Sequence, residues 1–369
     1  MTSLRRTLRA SLALAVSLAL VGCQPGSYAT TAEAPADAGD RPPLSEINWL
    51  PDPRSYVGAS TALLQRSAIE PLETVAEQSL PVTVESDELS GHLSLTIGST
   101  DRVLALDMSG SLAATVWALG FGDRLIGRDI STTFPGVEDL PVVTGSGHAI
   151  SPESVLALRP DLIITDGTIG PIDVVLQLRE AGIPVVFVRV APSLSQPAEL
   201  ARSVAEIFGA RDAGELLATQ VSADIAAVTE VIATRAPQAR ADQLRMVFLY
   251  LRGANGIYYL FGDESGAGEL ITALGGIDIA TEIGWVGLRP MTDEALIAAN
   301  PDLILVMTGG LESVGGVEEL VALKPALGLT PAGANLRFVD MADSQVLSFG
   351  PRTALVIDAL ARAIYAPEQ

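Results

Sequence analysis

Two residues at the end of "LRMVFLYLR" (244–252) have the types and spacing to hold a metal centre. Alternation places Met246, Phe248, Tyr250 and Arg252 on one face of a strand and Val247, Leu249 and Leu251 on the other. Tyr250 and Arg252 therefore leave the strand on the same side, two residues apart, just before the loop "GANG". A guanidinium beside a phenol favours the phenolate by charge and hydrogen bonding. A phenolate is a hard anionic ligand suited to ferric iron, and tyrosine can serve as an axial ligand of haem. A second ligand type stands in "TGSGHAIS" (144–151), where His148 lies between Gly147 and Ala149. A neutral imidazole bonds iron through one ring nitrogen, and such small neighbours leave room for a flat macrocycle. Each feature also has a plain alternative: strand-end Tyr and Arg are routine surface residues, and an isolated loop His is often solvated or caps a turn. The chain's other histidine, His92, falls at a polar turn and reads as solvated.

The elements that must carry these residues begin at Arg102. "RVLALD", "RLIGRD", "PDLIITD" and "PVVFVR" read as strands, with helices over "GSLAATVWALG", "ESVLALR" and "VVLQLREAG" between them. This is the rhythm of a parallel sheet with helices on both faces. Gln196–Phe208 and Asp212–Arg235 form a long helical stretch broken at Gly209, after which the strand–helix rhythm resumes. Before Arg102, Thr61–Ser79 has helical spacing, and "LPVTVES" with "HLSLTIG" reads as a hairpin. The expected organisation is a signal peptide (1–22), a lipidated cysteine and flexible tether (23–43) and an N-terminal extension (44–100). An N-terminal lobe (101–195), linking helices (196–236) and a C-terminal lobe (237–369) follow.

An internal repeat ties the two lobes together. "SPESVLALRPDLII" (151–164) aligns without a gap with "TDEALIAANPDLIL" (292–305), matching Glu153 with Glu294, Pro160 with Pro301 and Asp161 with Asp302. The period is too long for a solenoid, so two similar α/β lobes joined by a long helix are expected. Ligands of such sheets bind outside the carboxyl ends of the strands, which places a site in the cleft between the lobes. The same offset maps His148 onto Arg289. Arg289 and Arg128 either pair with ligand carboxylates or are ordinary surface charges. Tyr258 and Tyr259 are competing phenols on opposite faces, neither followed two residues later by Arg, and either wall the pocket or fill the core. Met307, at the end of "PDLILVM", either touches the ligand or packs the lobe.

Composition narrows the partners. The 369-residue chain carries a formal net charge of −21, which excludes a nucleic-acid partner, and 48% hydrophobic residues, which supports sizeable cores. Arg5, Arg6 and Arg9 precede an apolar run, Ala10–Val21, that is short for a membrane span and suits a secretory signal. It ends in Leu20-Val21-Gly22-Cys23, which looks like a bacterial lipobox, and Cys23 is the only cysteine of the chain. Two or more acyl chains on Cys23 would hold the mature protein on the extracytoplasmic face of the membrane through the lipid alone. The tether after it would reach roughly 25 Å. No nucleophile–base pair, Cys/His cluster or phosphate loop is present; "GGLESVGG" and "GDESGAGE" lack the spacing and the lysine of such a loop. The sequence therefore points away from an enzyme.

With these residues in view, the chain resembles the substrate-binding lipoproteins of bacterial ABC importers in which a rigid helix joins two lobes. Among them it is most similar to haem-binding proteins of actinobacterial haem uptake. The resemblance rests on LVGC, "RVLALDMSGSLAATVWALG", "GSGHAISPESVLALRPDLIITD", "YLRGANGIYYLFG" and "GLRPMTDEALIAANPDLIL", and covers most of Arg102 to Ala363. It implies a class III periplasmic binding protein fold: two Rossmann-like lobes with parallel sheets, a long connecting helix and a cleft, here with an N-terminal hairpin. It implies ferric haem as the transported ligand, held between His148 and Tyr250, with Arg252 hydrogen-bonding to the phenolate. It implies an ABC permease as partner, docked through Glu153 and Glu294, although a first-turn Glu is also what a helix dipole favours. An upstream haem-donor surface protein is a further partner to expect, and the receptor is expected to be a monomer. A receptor of the same fold for ferric siderophores or cobalamin is the main alternative, followed by a haem- or metal-handling enzyme.

Overall fold

The computed structural model describes residues 37–73, 77–88, 91–251 and 258–367. The expected signal peptide, Cys23 and Arg252 lie outside the described residues, as does the tether before residue 37.

Twelve strands occur among the described residues: β1 (Ser60–Ala62), β2 (Val82–Glu88), β3 (Gly91–Ile97), β4 (Val103–Leu106), β5 (Leu162–Thr165), β6 (Val185–Phe187), β7 (Arg245–Leu251), β8 (Tyr258–Leu260), β9 (Ile277–Asp278), β10 (Arg289–Pro290), β11 (Leu303–Met307) and β12 (Phe338–Met341). The N-terminal lobe is built on the parallel sheet β4-β5-β6. The C-terminal lobe is built on β1-β12-β11-β7-β8-β10, with β9 beside the start of β7. Its β1, β12, β11 and β7 run parallel, and β8 and β10 close it as an antiparallel edge.

Both sheets are covered on their two faces, as parallel sheets require. Along β4, Val103 and Ala105 enter one core with the helices Ser111–Val116 and Gln196–Ile207. Leu104 and Leu106 enter another with Pro152–Leu158 and Ile172–Glu180. In β7 the alternation repeats: Met246 and Phe248 face one core, and Val247, Leu249 and Leu251 the other.

The helix Arg211–Arg235 joins the lobes by being part of both. Leu217, Ala218 and Val221 are buried in the N-terminal core, and Ile225 and Ile232 in the C-terminal core. At 25 residues it spans about 37 Å. Gly214 lets it lie against Gln196–Ile207, where a Cβ would stand 2.6 Å from that of Ala205.

The N-terminal extension differs from the reading of its sequence. No helix occurs among the described residues of Thr61–Ser79: the apolar residues there serve two separate cores. Ala62 and Leu64 are buried in the C-terminal lobe, whereas Ile69 packs in the N-terminal one. The chain changes lobes around Ala68, since the Ser67 carbonyl accepts from Arg352 Nη1 (3.1 Å) and the Ile69 carbonyl from Trp117 Nε1 (3.0 Å). Residues 37–43, expected as tether, are seated on the C-terminal lobe. The Ala38 amide donates to the Leu64 carbonyl (2.8 Å), and Arg362 Nη2 donates to the Pro42 carbonyl (2.8 Å). The hairpin β2–β3 forms as expected and joins the N-terminal lobe, where the Phe187 amide donates to Ser86 Oγ (2.9 Å) and Glu88 pairs with Arg179 (2.8 Å). "RLIGRD" makes only isolated bridges at Leu125 and Arg128.

Candidate functional site

The repeat is structural as well as sequential. Ser151 Oγ caps Pro152–Leu158 by accepting from the Ser154 amide, and Thr292 Oγ1 caps Asp293–Ala299 by accepting from the Ala295 amide. Each helix ends on a left-handed residue, Arg159 (φ 47°) and Asn300 (φ 48°). Ile150 and Met291, at the same offset, are both buried. The carboxyl ends of the two sheets meet on one side: Thr133 Oγ1 lies 3.1 Å from Ser344 Oγ, and a Cβ at Gly350 would stand 3.4 Å from that of Ser111. The Leu194 amide also donates to Glu269 Oε2 (2.8 Å).

His148 sits on a loop held from beneath. Thr144 and Ile150 pair antiparallel, the Ile150 amide donates to the Gly170 carbonyl (2.8 Å), and the Gly145 amide donates to the Ala149 carbonyl (2.7 Å). Gly170 belongs to the turn after β5, so the loop stands at the carboxyl end of the N-terminal sheet. Its tip is strained. Gly147 (φ 74°) tolerates the left-handed region, but His148 adopts it too (φ 60°). Non-glycine residues held there cluster at functional sites. His148 is half-buried.

Tyr250 occupies the carboxyl end of β7 on the same face as Phe248. It pairs in register with Tyr259, with ring centroids 6.3 Å apart, and meets Phe261 edge-on at 6.1 Å. It too is half-buried, walled by aromatics on the sheet side. His148 and Tyr250 thus stand at the carboxyl ends of sheets in opposite lobes.

Other candidates have different places. Tyr258 is buried on the opposite face, and its hydroxyl donates to Asp293 Oδ1 (2.6 Å). Burial, then the Asp293 carboxylate, push its phenol well above the ordinary range, so it stays protonated inside the core. Arg128 is buried rather than exposed to a ligand: its Nη1 donates to the Thr132 carbonyl (3.0 Å) and braces the loop carrying Asp129 and Thr133. Arg289 is exposed over Trp285 (5.0 Å), but its register with Leu260, and through it Leu249, puts it on the face opposite Tyr250. Met307 is half-buried against the C-terminal core.

Three carboxylates gather at the carboxyl ends of β4 and β5; the repeat offset pairs Asp166 with Met307 and expects both to reach towards the cleft, whereas sequence reasoning overlooked Asp107 and Asp129. Asp107 accepts from the Ser111 and Leu112 amides (2.9 and 3.0 Å) at the start of helix Ser111–Val116. Asp129 accepts from the Ser131 and Thr132 amides (both 2.8 Å), and Asp166 Oδ1 from the Thr168 amide and hydroxyl (2.8 and 2.6 Å). Of the two overlooked, only Asp107, in "ALDMSGS" just before a helix start, has a signal in the sequence.

A family profile described as Periplasmic binding protein matches residues 108–344, more than half of the chain. The chain belongs to the periplasmic binding protein family. As a member, it is a substrate-binding transport protein of class III architecture and not an enzyme. It is similar to the ABC transporter substrate-binding lipoprotein YvrC of Bacillus subtilis (26% identity over 293 residues, 77% of this chain and 86% of YvrC). It is also similar to a cobalamin-binding protein of Halobacterium salinarum (26% over 288 residues, 77% and 73%). Among solved structures, the heme binding protein HmuT matches at 35% identity with a TM-score of 0.79, covering 85% of this chain and 99% of HmuT. HmuT variants with a histidine, or either of a tyrosine and an arginine two positions apart, changed to alanine match as well.

The acidic cluster gives this periplasmic binding protein a pH-dependent stability. Burial, then the charge of Asp107, raise the Asp166 carboxyl from 3.8 to about 6 and that of Asp129 to about 7. The fold therefore holds protons that the unfolded chain releases. This contribution is fully present below pH 3.8 and is lost as the pH rises through about 6 to 7. Asp166→Asn keeps the oxygen that accepts from Thr168 and removes the charge. At pH 8 it is expected to raise stability by about 1–2 kcal/mol, with the gain vanishing at pH 4. Thermal melts at the two pH values measure it, and an equal shift at both would exclude the charge effect.

Proposed function

We propose that this chain is an extracytoplasmic haem receptor, anchored through lipidated Cys23, that takes ferric haem into its inter-lobe cleft and delivers it to an ABC permease. The observation that carries this reading is the placement of His148 and Tyr250 at the carboxyl ends of sheets in opposite lobes. There an imidazole can approach one face of a planar macrocycle and a phenol the other. The residue types agree with those altered in the HmuT variants, including a tyrosine and an arginine two positions apart, as in Tyr250 and Arg252. The left-handed φ of His148 is the kind of backbone strain that clusters at functional sites. When bound, haem supplies an iron with two axial positions. Tyr250 would offer an oxygen, Arg252 the charge that favours its ionised form, and His148 a nitrogen. Met307 and Tyr259 would border the ring.

Glu153 and Glu294 are both exposed on the first turns of equivalent helices and would meet basic residues of the permease. The cobalamin-binding relative keeps a corrinoid ligand as the second reading.

Hemin and cyanocobalamin titrations followed by absorbance separate these readings. Hemin is expected to saturate at one equivalent with a shifted Soret band, undisturbed by excess cyanocobalamin. A protein that leaves the hemin spectrum unchanged and binds cyanocobalamin would overturn the haem assignment. Glu153→Arg with Glu294→Arg is expected to abolish haem uptake by cells while leaving the hemin titration unaltered.

A further inference from the structure

The two helices that carry Glu153 and Glu294 also share an outward-facing aliphatic residue. In each seven-residue helix the inward position is fully buried, by Val155 in one and Leu296 in the other. The next residue in each is exposed and apolar: Leu156 is 48% accessible and Ile297 36%. These two correspond at the 141-residue repeat offset. Each lies three residues after its Glu, and residues three apart are neighbours on a helix surface. The exposed positions 153, 156 and 157 correspond one for one to 294, 297 and 298.

Each helix packs on another element that itself carries an exposed apolar residue. Pro152–Leu158 packs on Ile172–Glu180, where Leu176 is 37% accessible. Asp293–Ala299 packs on the turn Leu327–Leu329, where Leu329 is 70% accessible. One exposed aliphatic residue needs no explanation. Two at equivalent positions, each three residues after an exposed acid, form one surface motif built twice.

We propose that Leu156 and Ile297 are apolar anchors that seat the receptor on the permease, each filling a hollow about one helical turn from the basic group that meets Glu153 or Glu294. This rests on the permease-docking reading of those acids. The partner must present the same pair of features twice, a basic site beside an apolar socket, as a transporter with two related halves can. An anionic lipid surface fits poorly, because both patches carry an acid on a chain of net charge −21. Fully burying one such side chain is worth enough to change affinity tenfold or more.

The test uses full-length lipidated chain in cells deleted for their own copy, with haem uptake, hemin titration and thermal melting as readouts. Leu156→Glu and Ile297→Glu are each expected to lower uptake about tenfold and together to reduce it to background, with titration and melting unchanged. Leu156→Ile and Ile297→Val should behave as the parent. Normal uptake by the double variant overturns the proposal. So does a loss of hemin affinity or melting temperature in it and in the milder Leu156→Ser, Ile297→Ser pair, which would make these residues structural. Retained uptake in Leu156→Glu, Ile297→Glu alongside loss in Glu153→Arg, Glu294→Arg would sink the anchors and leave acidic docking intact. The reverse pattern would sink the acids and keep the anchors. If the double variant instead loses binding to phosphatidylglycerol vesicles that the parent binds, the face meets lipid and the proposal is overturned.

Discussion

Changing Tyr250 to phenylalanine is expected to weaken hemin binding by about a hundredfold and to move the Soret band, although the ring it leaves behind is the same. The aromatic wall formed with Tyr259 and Phe261 contacts the ring of residue 250, and phenylalanine preserves it. The variant therefore isolates the oxygen. A hundredfold loss corresponds to about 2.7 kcal/mol, in the range of one good polar contact made in a poorly hydrated site. Tyr250→Ala should lose more, because the wall goes with the oxygen. His148→Ala should lose less, about tenfold, since a neutral imidazole balances none of the iron's charge. Hemin titrations at fixed ionic strength read these effects, with melting temperatures as the control for folding. Parent-like binding by Tyr250→Phe would remove the phenol from the coordination sphere.

The largest stability effect is expected at Arg337. This side chain is almost wholly buried just before β12, and its Nη2 donates to the carbonyls of Ala363 (3.1 Å) and Ile364 (2.6 Å). These are among the last carbonyls of the helix Thr353–Tyr365, which lack partners within the helix. Nη1 donates to Ser60 Oγ (3.0 Å) on β1, and the guanidinium lies over the Tyr56 ring at 4.7 Å. One cation thus fastens the first strand, the last helix and the sheet between them. Burial lowers its pKa to about 10, which still leaves it charged at neutral pH. Arg337→Met keeps most of the volume but leaves the Ile364 carbonyl without its donor and the Ala363 carbonyl with Ser60 Oγ (2.7 Å) alone, at an expected cost of about 3 kcal/mol. Arg337→Lys should recover part of this, since an ammonium cannot reproduce the planar fork. Urea unfolding measures both; a midpoint unchanged in Arg337→Met would contradict the role.

The parts of this molecule written in local periodicity were legible from sequence. Alternation in β7 placed Tyr250 beside Phe248 and opposite Leu249, as the cores show. The repeat predicted two helices whose caps and left-handed ends do coincide. Readings failed where one segment serves two surroundings. The apolar spacing of Thr61–Ser79 matched a helix because residues bound for different cores happened to fall at helical intervals. Residue type alone leaves Arg128 open as a ligand partner or a surface charge, and Tyr258 as a pocket wall or a core residue. Each is turned inward by a hydrogen-bonded partner, the Thr132 carbonyl and Asp293, that spacing does not reveal. Arg289 was aligned correctly along the chain, yet a register with Leu260 decides its face, and register is a property of three strands rather than one.

Among the described residues the chain passes between the lobes twice, once near Ala68 and again within Arg211–Arg235, where burial shifts from Val221 in one core to Ile225 in the other. Two points of attachment define an axle. A lobe held at both can rock about that line, but twisting or sliding would have to stretch one strap. Opening and closing of the cleft is thereby confined to that one rocking motion. Cutting the first strap at a protease site inserted beside Ala68 should leave the lobes associated and broaden the inter-lobe distances measured between spin labels. An unchanged distribution would show that the helix alone sets the axle.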